Sequence, residues 1–423
     1  MHRAHPMARL RPDIVLLFTT RIARMFAYGF LSVALALYLA EIGFKDAQIG
    51  LLFTLTLVGD AVVSLGLTTS ADRVGRRRML VIGAALMVLG GVVFVLTKDP
   101  ALLMAAAIVG VISPSGYEIG PFLSIEQAAL SHLIPGERRT RVFAWYNLVG
   151  SFATALGSLS GGALASTLHK SGFTALESYR ALLIGYALVG VALAVIFTSL
   201  SAAVEITKVP SASKPQNAPG ALRSHSFGLH RSRGIVLRLS GLFALDAFGG
   251  GFVVQSIMAY WFHVKFGVDI GVLGRIFFGA NVLAGISGLL AARIASRIGL
   301  VRTMVFTHLP SNVLLMLVPF MPSLHLAIAV LLLRFSISQM DVPTRQSYTM
   351  AVVAPDERSA ASGVTTIARS AGASISPSLT GILLSHPALI GVPFVLSGGL
   401  KIVYDLLLYR SFRRLRPPEE TRA

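Results

Sequence analysis

Of the ionisable side chains that stand inside apolar runs, Asp60 among them, eight are the candidates for function: Arg21, Arg24, Glu118, Glu126, Asp246, Arg334, Asp341 and Arg369. Charge in hydrocarbon is costly, and groups kept there bind solutes, relay protons or neutralise one another. Spacing suggests partners. Arg21 and Arg24 are three apart and share a helix face. Glu118 and Glu126 are eight apart, about two turns, and share another. The depths of the two runs place Arg21 level with Glu126, nearer one surface, and Arg24 level with Glu118, nearer the midplane. Arg24 and Glu118 moving together or apart would change the acid's proton affinity, a physical route to coupling. Asp246 is expected to do the same against Arg369 or Arg334. A purely charge-neutralising role is the competing reading. Arg334 and Asp341, seven apart, are expected to share a face. Lys401 and Asp405, four apart, are expected to pair within their own helix, and Arg275 and Arg345 to snorkel from span ends. Aromatic residues near these groups, Tyr28, Phe122, Tyr146 and Tyr348 among them, are read as packing or interfacial anchors.

Other chemistries find no motif. The chain has no cysteine and therefore no thiolate or disulfide. It has no Gly-Lys-Ser/Thr phosphate loop, no helical His pair at metal spacing and no Gly-x-Ser-x-Gly elbow. No cofactor or metal is expected, and neither ATP-driven transport nor hydrolase chemistry.

The elements that must position the charges are membrane helices. Charged residues make up only 13% of the chain, against about 25% in soluble domains. Continuous apolar windows predict twelve spans, near 14–40, 47–67, 79–97, 101–131, 142–167, 180–203, 235–262, 270–292, 303–322, 324–350, 360–384 and 392–409. The windows Met79–Thr97, Ala181–Val204 and Thr303–Leu333 contain no Asp, Glu, Lys or Arg. Pro319 and Pro322 divide the last into two helices. In the fourth span, Pro114 and Gly116 ahead of Glu118 loosen the helix and free carbonyls toward a cavity.

Between spans two and three lies Ser70-Ala-Asp72-Arg73-Val-Gly75-Arg76-Arg77-Arg78. Four arginines and a carboxylate cannot lie in hydrocarbon, so this is a tight surface loop, and Gly75 lets it turn. The run resembles the signature loop of the major facilitator superfamily. Asp72, Arg73, Gly75, Arg76 and Arg77 carry the match, and Thr68 replaces its first glycine. Internal repetition extends the resemblance over nearly the whole chain. Gly29-Phe30 to Tyr38 recurs as Gly251-Phe252 to Tyr260, Asp72 to Gly75 as Ser296 to Gly299, and Pro135 to Arg138 as Pro355 to Arg358. Asp246 thereby takes the place of Arg24. The resemblance implies an all-α membrane protein, with two pseudo-symmetric six-helix bundles around a central cavity lined mainly by spans 1, 4, 7 and 10. It also implies that the loop holds the halves together in one state, and that Glu126 has Arg76 as an alternative partner. The expected division is 1–204, a cytoplasmic linker at 205–234 rich in Pro, Ser and Ala, and 235–423.

In span five, Ala153 to Gly162 resembles the antiporter motif Gly-x-x-x-Gly-Pro-x-x-Gly-Gly, with Gly157, Gly161 and Gly162 matching and Ser158 in place of proline. Close packing of small residues is the alternative meaning. The expected function is proton-coupled export of small organic molecules by alternating access. Uptake of a polar metabolite by proton symport is the alternative, and a membrane sensor or intramembrane enzyme the third. The expected partners are the lipid bilayer, a small solute and protons, with no nucleic acid and the chain acting as a monomer. The net charge of +18 gathers beside hydrophobic spans, as on a cytoplasmic membrane face.

Lys and Arg number 26 on the side of the linker and both termini, and five on the other: Lys45, Lys98, Lys170, Arg180 and Lys265. The expected location is a bacterial inner membrane with the linker and termini inside. A cysteine introduced at Ser213 should resist a membrane-impermeant thiol reagent in intact cells, while one at Lys170 reacts. Equal labelling would reverse the topology.

Overall fold

The computed structural model describes residues 12–117, 121–134, 136–205, 229–354, 357–413 and 415; the side chains of residues 72, 136–141 and 359 lie outside that description. The described residues form helices and no strand. In chain order they are α1 (Pro12–Ser32), α2 (Leu35–Glu41), α3 (Asp46–Val74), α4 (Arg76–Leu96), α5 (Pro100–Val109), α6 (Phe122–Leu133), α7 (Gly136–Lys170) and α8 (Ala175–Thr198). There follow α9 (Arg233–Gly251), α10 (Gln255–Phe266), α11 (Ile270–Ile298), α12 (Leu300–Leu317), α13 (Leu324–Phe335), α14 (Asp341–Val352), α15 (Arg358–Leu384) and α16 (Val392–Phe412).

Nine segments among the described residues are long and apolar enough to cross a membrane. A count of twelve depends on joining α5 to α6 and α13 to α14 as interrupted crossings, and on admitting α15, which carries Arg358 and Arg369. The continuous spans expected at 14–40, 101–131, 235–262 and 324–350 are each interrupted. The interruptions fall at 33–34, 252–254 and 336–340, and between α5 and α6, where the described residues 110–117 and 121 are not helical. Hydropathy does not mark the gaps at 33–34 and 252–254, where the chain is wholly apolar, and at 336–340 the polar residues Ser336, Ser338 and Gln339 are too few to break an apolar window.

A broken helix in hydrocarbon must satisfy its freed backbone groups elsewhere. Hydroxyls and amides of neighbouring helices meet that need. Ser256 Oγ donates to Ser32 O (2.7 Å), Thr154 Oγ1 to Gly116 O (3.5 Å) and Thr380 Oγ1 to Phe252 O (3.0 Å). Tyr186 donates to Val111 O and Ser376 to Phe248 O. Ser287 Oγ accepts from Gln339 N (3.2 Å). Two gaps also satisfy each other, Ser256 N donating to Pro114 O (3.0 Å).

Two seams join the first eight helices to the last eight: α7 against α11, and α3 against α15. Both rely on glycine for close approach. A Cβ at Gly162 would sit 2.6 Å from Ile270 O, and one at Gly381 2.4 Å from Asp46 O. Gly157 and Gly161 of the same α7 stretch face α1 instead, where a Cβ would meet Phe26 O at 2.0 Å and Phe30 O at 2.3 Å.

On the linker side, carboxylates cap helix N-termini. Glu205 accepts from Arg76 N (2.8 Å) and Arg77 N (3.1 Å) at the start of α4. Gly75 precedes them at φ 116°, and a Cβ there would lie 3.2 Å from the Glu205 carboxylate. Glu357 is buried and accepts from the N–H groups of His230 (2.9 Å), Arg231 (2.7 Å) and Ser232 (2.8 Å) ahead of α9. Burial would raise its pKa, but these bonds outweigh burial and lower it from 4.5 to about 2. The folded value lies below the unfolded one, so this stabilisation is complete above the unfolded pKa and is lost as pH falls toward the folded one. Glu357→Gln should lower the thermal unfolding midpoint at neutral pH. The gap to wild type should close between about pH 4.5 and about pH 2. A gap that does not change with pH would rule out the carboxylate as its source.

Candidate functional site

Two clusters of buried charge face the interrupted helices. In the first, Arg24 of α1 donates to Glu126 of α6 through both terminal nitrogens, at 2.9 and 2.6 Å, and both side chains are fully buried. Thr20 Oγ1 donates to Glu126 Oε1 (2.9 Å), and the Tyr146 hydroxyl of α7 donates to Oε2. A carboxylate taking two guanidinium and two hydroxyl bonds has its lone pairs well occupied. Arg24 also lies over the Phe122 ring at 4.6 Å, and Arg21 over the Tyr146 ring at 4.7 Å.

This corrects the expected pairing. Glu126 holds Arg24 rather than Arg21, and Glu118 lies outside the described residues. The shared-face argument for Glu118 and Glu126 needs a continuous helix, whereas α6 begins only at Phe122. The alternative partner for Glu126, Arg76, places its guanidinium on Val204 O (3.3 Å), while Arg77 reaches Leu200 O (3.2 Å). The loop arginines thus grip the segment that follows α8. Arg73 is exposed, and the side chain of Asp72 is outside the description. Tyr146 is a hydrogen-bonding member of the cluster as well as a packing residue.

The second cluster surrounds Asp246 of α9. Lys401 Nζ of α16 donates to its Oδ1 at 2.6 Å. Arg345 of α14 donates to Oδ2 at 3.0 Å, and Arg369 of α15 lies 3.6 Å from that oxygen. Arg345 also reaches Asp341 at 3.1 Å. Of these cations only Arg369 has a substantially exposed side chain, at 36%. Three expectations change here. Lys401 bonds Asp246 and not Asp405, because its side chain crosses to α9 instead of following its own helix. Arg345 is buried and paired, because the second half of its span restarts at Asp341 and carries it inward. Arg334 and Asp341 lie on opposite sides of the 336–340 gap, so seven-residue spacing no longer sets one face. Arg334 stacks over Phe335 at 4.8 Å.

The clusters are mirror images in charge. Glu126 and Arg345 each stand four residues after the first residue of their half-helix, α6 and α14. Their partners Arg24 and Asp246 occupy repeat-related places. One half has cation on its first helix and anion on its fourth; the other half reverses them.

Where α1, α7, α10 and α11 meet, an uncharged network ties the two halves together. Gln255 Nε2 donates to Ser32 Oγ (2.7 Å) and Ser158 Oγ (3.1 Å), and its Oε1 accepts from Asn281 (3.0 Å). Ser158, in the proline position of the antiporter-like run, thus links the halves by a hydroxyl. No signal of charge or periodicity marked Gln255 or Asn281.

The sequence model of the Major Facilitator Superfamily matches residues 17–377. The chain belongs to the major facilitator superfamily. Like it, the uncharacterized membrane protein YJR124C of Saccharomyces cerevisiae (strain ATCC 204508 / S288c) is of similar length. The two are 33% identical over 418 residues, covering 94% of this chain and 93% of that protein. Among solved structures, the chain resembles a bacterial homolog of the human lysosomal transporter Spinster in an inward-facing, occupied conformation, with TM-score 0.69, 15% identity and 95% and 96% coverage. It also resembles the D-xylose-proton symporter, with TM-score 0.72, 14% identity and 94% and 97% coverage. The nucleoside transporter NupG gives TM-score 0.68, 12% identity and 95% and 99% coverage. At these identities the structures speak for the fold. The family and the fold together make the chain an integral membrane transporter.

Removing one partner of the Arg24–Glu126 pair should leave a buried, uncompensated charge. Glu126→Gln is expected to cost about 3–5 kcal/mol in unfolding measurements in mild detergent. Joining Arg24→Met to Glu126→Leu should recover most of that loss. A double variant as unstable as the single one would contradict a mainly compensating role.

Proposed function

We propose that this superfamily member is a proton-coupled exporter of small organic molecules, working by alternating access as a monomer. It is seated in a plasma membrane, or the inner membrane of a bacterium, with its linker and both termini in the cytoplasm. The carrying observation is the pair of charge clusters at the interrupted helices. Each joins the first and fourth crossings of its half, so rocking of the halves changes what faces a central cavity. Arg369, whose side chain is about one-third exposed although the nitrogen facing Asp246 is buried, is the least enclosed cation of its cluster. Arg21, Arg24, Glu126, Arg334 and Asp341 complete the described part of the site, and Glu118 the part read from sequence. Export is favoured by the antiporter-like stretch, whose Gly157 and Gly161 bring α7 onto α1 and whose Gly162 brings it onto α11. Asp72, Arg73, Gly75, Arg76 and Arg77 form the switch loop. Its grip on Leu200 and Val204, just after α8, transmits movement of α3 and α4 to the start of the linker.

Proteoliposomes with an imposed pH gradient test this reading, using a panel of organic ions, sugars and nucleosides. Solute should move against the direction of proton flow. Accumulation along with inward protons would replace export by symport, and flux indifferent to the gradient would remove proton coupling. Asp72→Asn should slow transport about tenfold, near 1.4 kcal/mol of barrier, with equilibrium binding nearly unchanged. An equal loss of binding in a folded variant would place Asp72 in the binding site instead of the switch.

A further inference from the structure

Behind Asp246 lies a buried histidine that neither the repeat nor the family loop accounts for. His308 of α12 has Nδ1 2.9 Å from Asp405 Oδ1, and Asn312 Nδ2 donates to Asp405 Oδ2 at 3.0 Å. Asn312 Nδ2 also lies 3.2 Å from His308 Nδ1. The short contact requires a proton between His308 and Asp405; with Asp405 as a carboxylate, which only accepts, the imidazole supplies it from Nδ1. That tautomer leaves a lone pair on Nε2. Nε2 faces Asp246 Oδ1 at 3.9 Å, the same oxygen that holds Lys401.

The charged and titratable groups around His308 come from each packed element. They are Asp246 of α9, Asp341 and Arg345 of α14, Arg369 of α15, and Lys401, Tyr404 and Asp405 of α16, whose Tyr404 ring meets the imidazole edge-on at 6.0 Å. Three carboxylates stand against three cations when the imidazole is neutral. A second proton on the imidazole adds one positive charge to a compensated interior. Histidine is also the side chain whose ordinary pKa, about 6.5, places its charge change near physiological pH.

We propose that His308 Nε2 is the proton-binding atom of the transport cycle, loaded from the cavity through Asp246, and that its charging releases Arg369 toward the cavity. This rests on the proton-coupled reading above. The proton enters from cavity water onto the Asp246 carboxyl and moves to Nε2, where an N–H bond forms, and Asp246 returns to a carboxylate. The imidazolium then competes with Lys401 for Oδ1. Of the two arginines on Oδ2, Arg369 is held at the longer distance, 3.6 Å against 3.0 Å, and is the one with a partly exposed side chain. Its helix carries Ser378 and Gly381, which meet Thr54 and Gly50 of α3 at the seam. A change at Arg369 therefore acts on a helix shared with the interface between halves.

The test uses the full chain in lipid nanodiscs with ¹⁵N-labelled histidine. His308 is assigned by the signal missing in His308→Gln or His308→Asn. If neither variant folds, it is the signal that survives when each of the other nine of the ten histidines is replaced in turn. Between about pH 5 and about pH 8.5 it should pass from imidazolium to the Nδ1–H neutral form. A signal fixed in one state, or a neutral form protonated on Nε2, overturns the proposal.

A second readout separates this proposal from the reading it rests on. Because the chain lacks cysteine, Ala47→Cys with Ser385→Cys places one label pair across the far side. In wild type the closed population should change about threefold over the same pH range, and in either His308 variant it should stay constant. A pH response retained in both folded variants overturns the role of His308 while leaving proton coupling intact. A wild type that does not respond to pH overturns proton coupling, and this proposal with it.

Discussion

A carboxylate buried in a membrane interior persists only with compensation, and Asp246 draws that compensation from four other helices. Lys401, Arg345 and Arg369 bring α16, α14 and α15 to α9, and His308 adds α12. The arrangement fixes more than charge. α14 is a half-helix that begins at Asp341, and Arg345 on its second turn ties it to the interior. Removing the anion would leave several cations facing one another in a low dielectric, so the cluster stands or falls as a unit. The first half solves the same problem with fewer parts, setting one bidentate pair and two hydroxyls around Glu126.

Interruption of the crossings follows from the same need. A continuous helix satisfies its own backbone and offers a cavity only side chains. Four broken ones bring free carbonyls and amides to the centre, and serine, threonine and tyrosine from neighbouring helices meet them. Hydroxyls at Ser256, Thr154, Thr380 and Tyr186 therefore belong to the architecture, although each would pass unnoticed in a hydropathy profile. Close seams complete the design, since glycine pairs such as Gly162 with Gly274 let whole helices lie together without interlocking side chains.

The membrane class, the signature loop and the repeat were legible because they rest on composition, local charge and order along the chain. The partners of the buried charges were less so. Same-face arguments for Glu118 with Glu126, and for Arg334 with Asp341, assumed unbroken helices. Pro114 and Gly116 warned of one gap, whereas 33–34 and 336–340 carry neither proline nor glycine. Lys401 and Asp405 have ideal spacing for a pair, but contacts across helices outweighed it. His308 and Asn312 sit in a window that counts as clean when only Asp, Glu, Lys and Arg are considered. Neutral polar groups and imidazoles take part in buried networks as fully as fixed charges do, and hydropathy averages hide them.

The compensation within the Asp246 cluster bears on electrical behaviour. A group of balanced charges that moves as one body displaces no net charge through the membrane field, whereas each uncompensated charge carried across gains or loses about 2.3 kcal/mol per 100 mV. Rocking of the second half, with His308 neutral, is therefore nearly silent to voltage at this cluster. The same movement with an added proton is not. The membrane potential would act on this half chiefly through its cargo, and the protein would serve as an electrically quiet frame around the charge it carries.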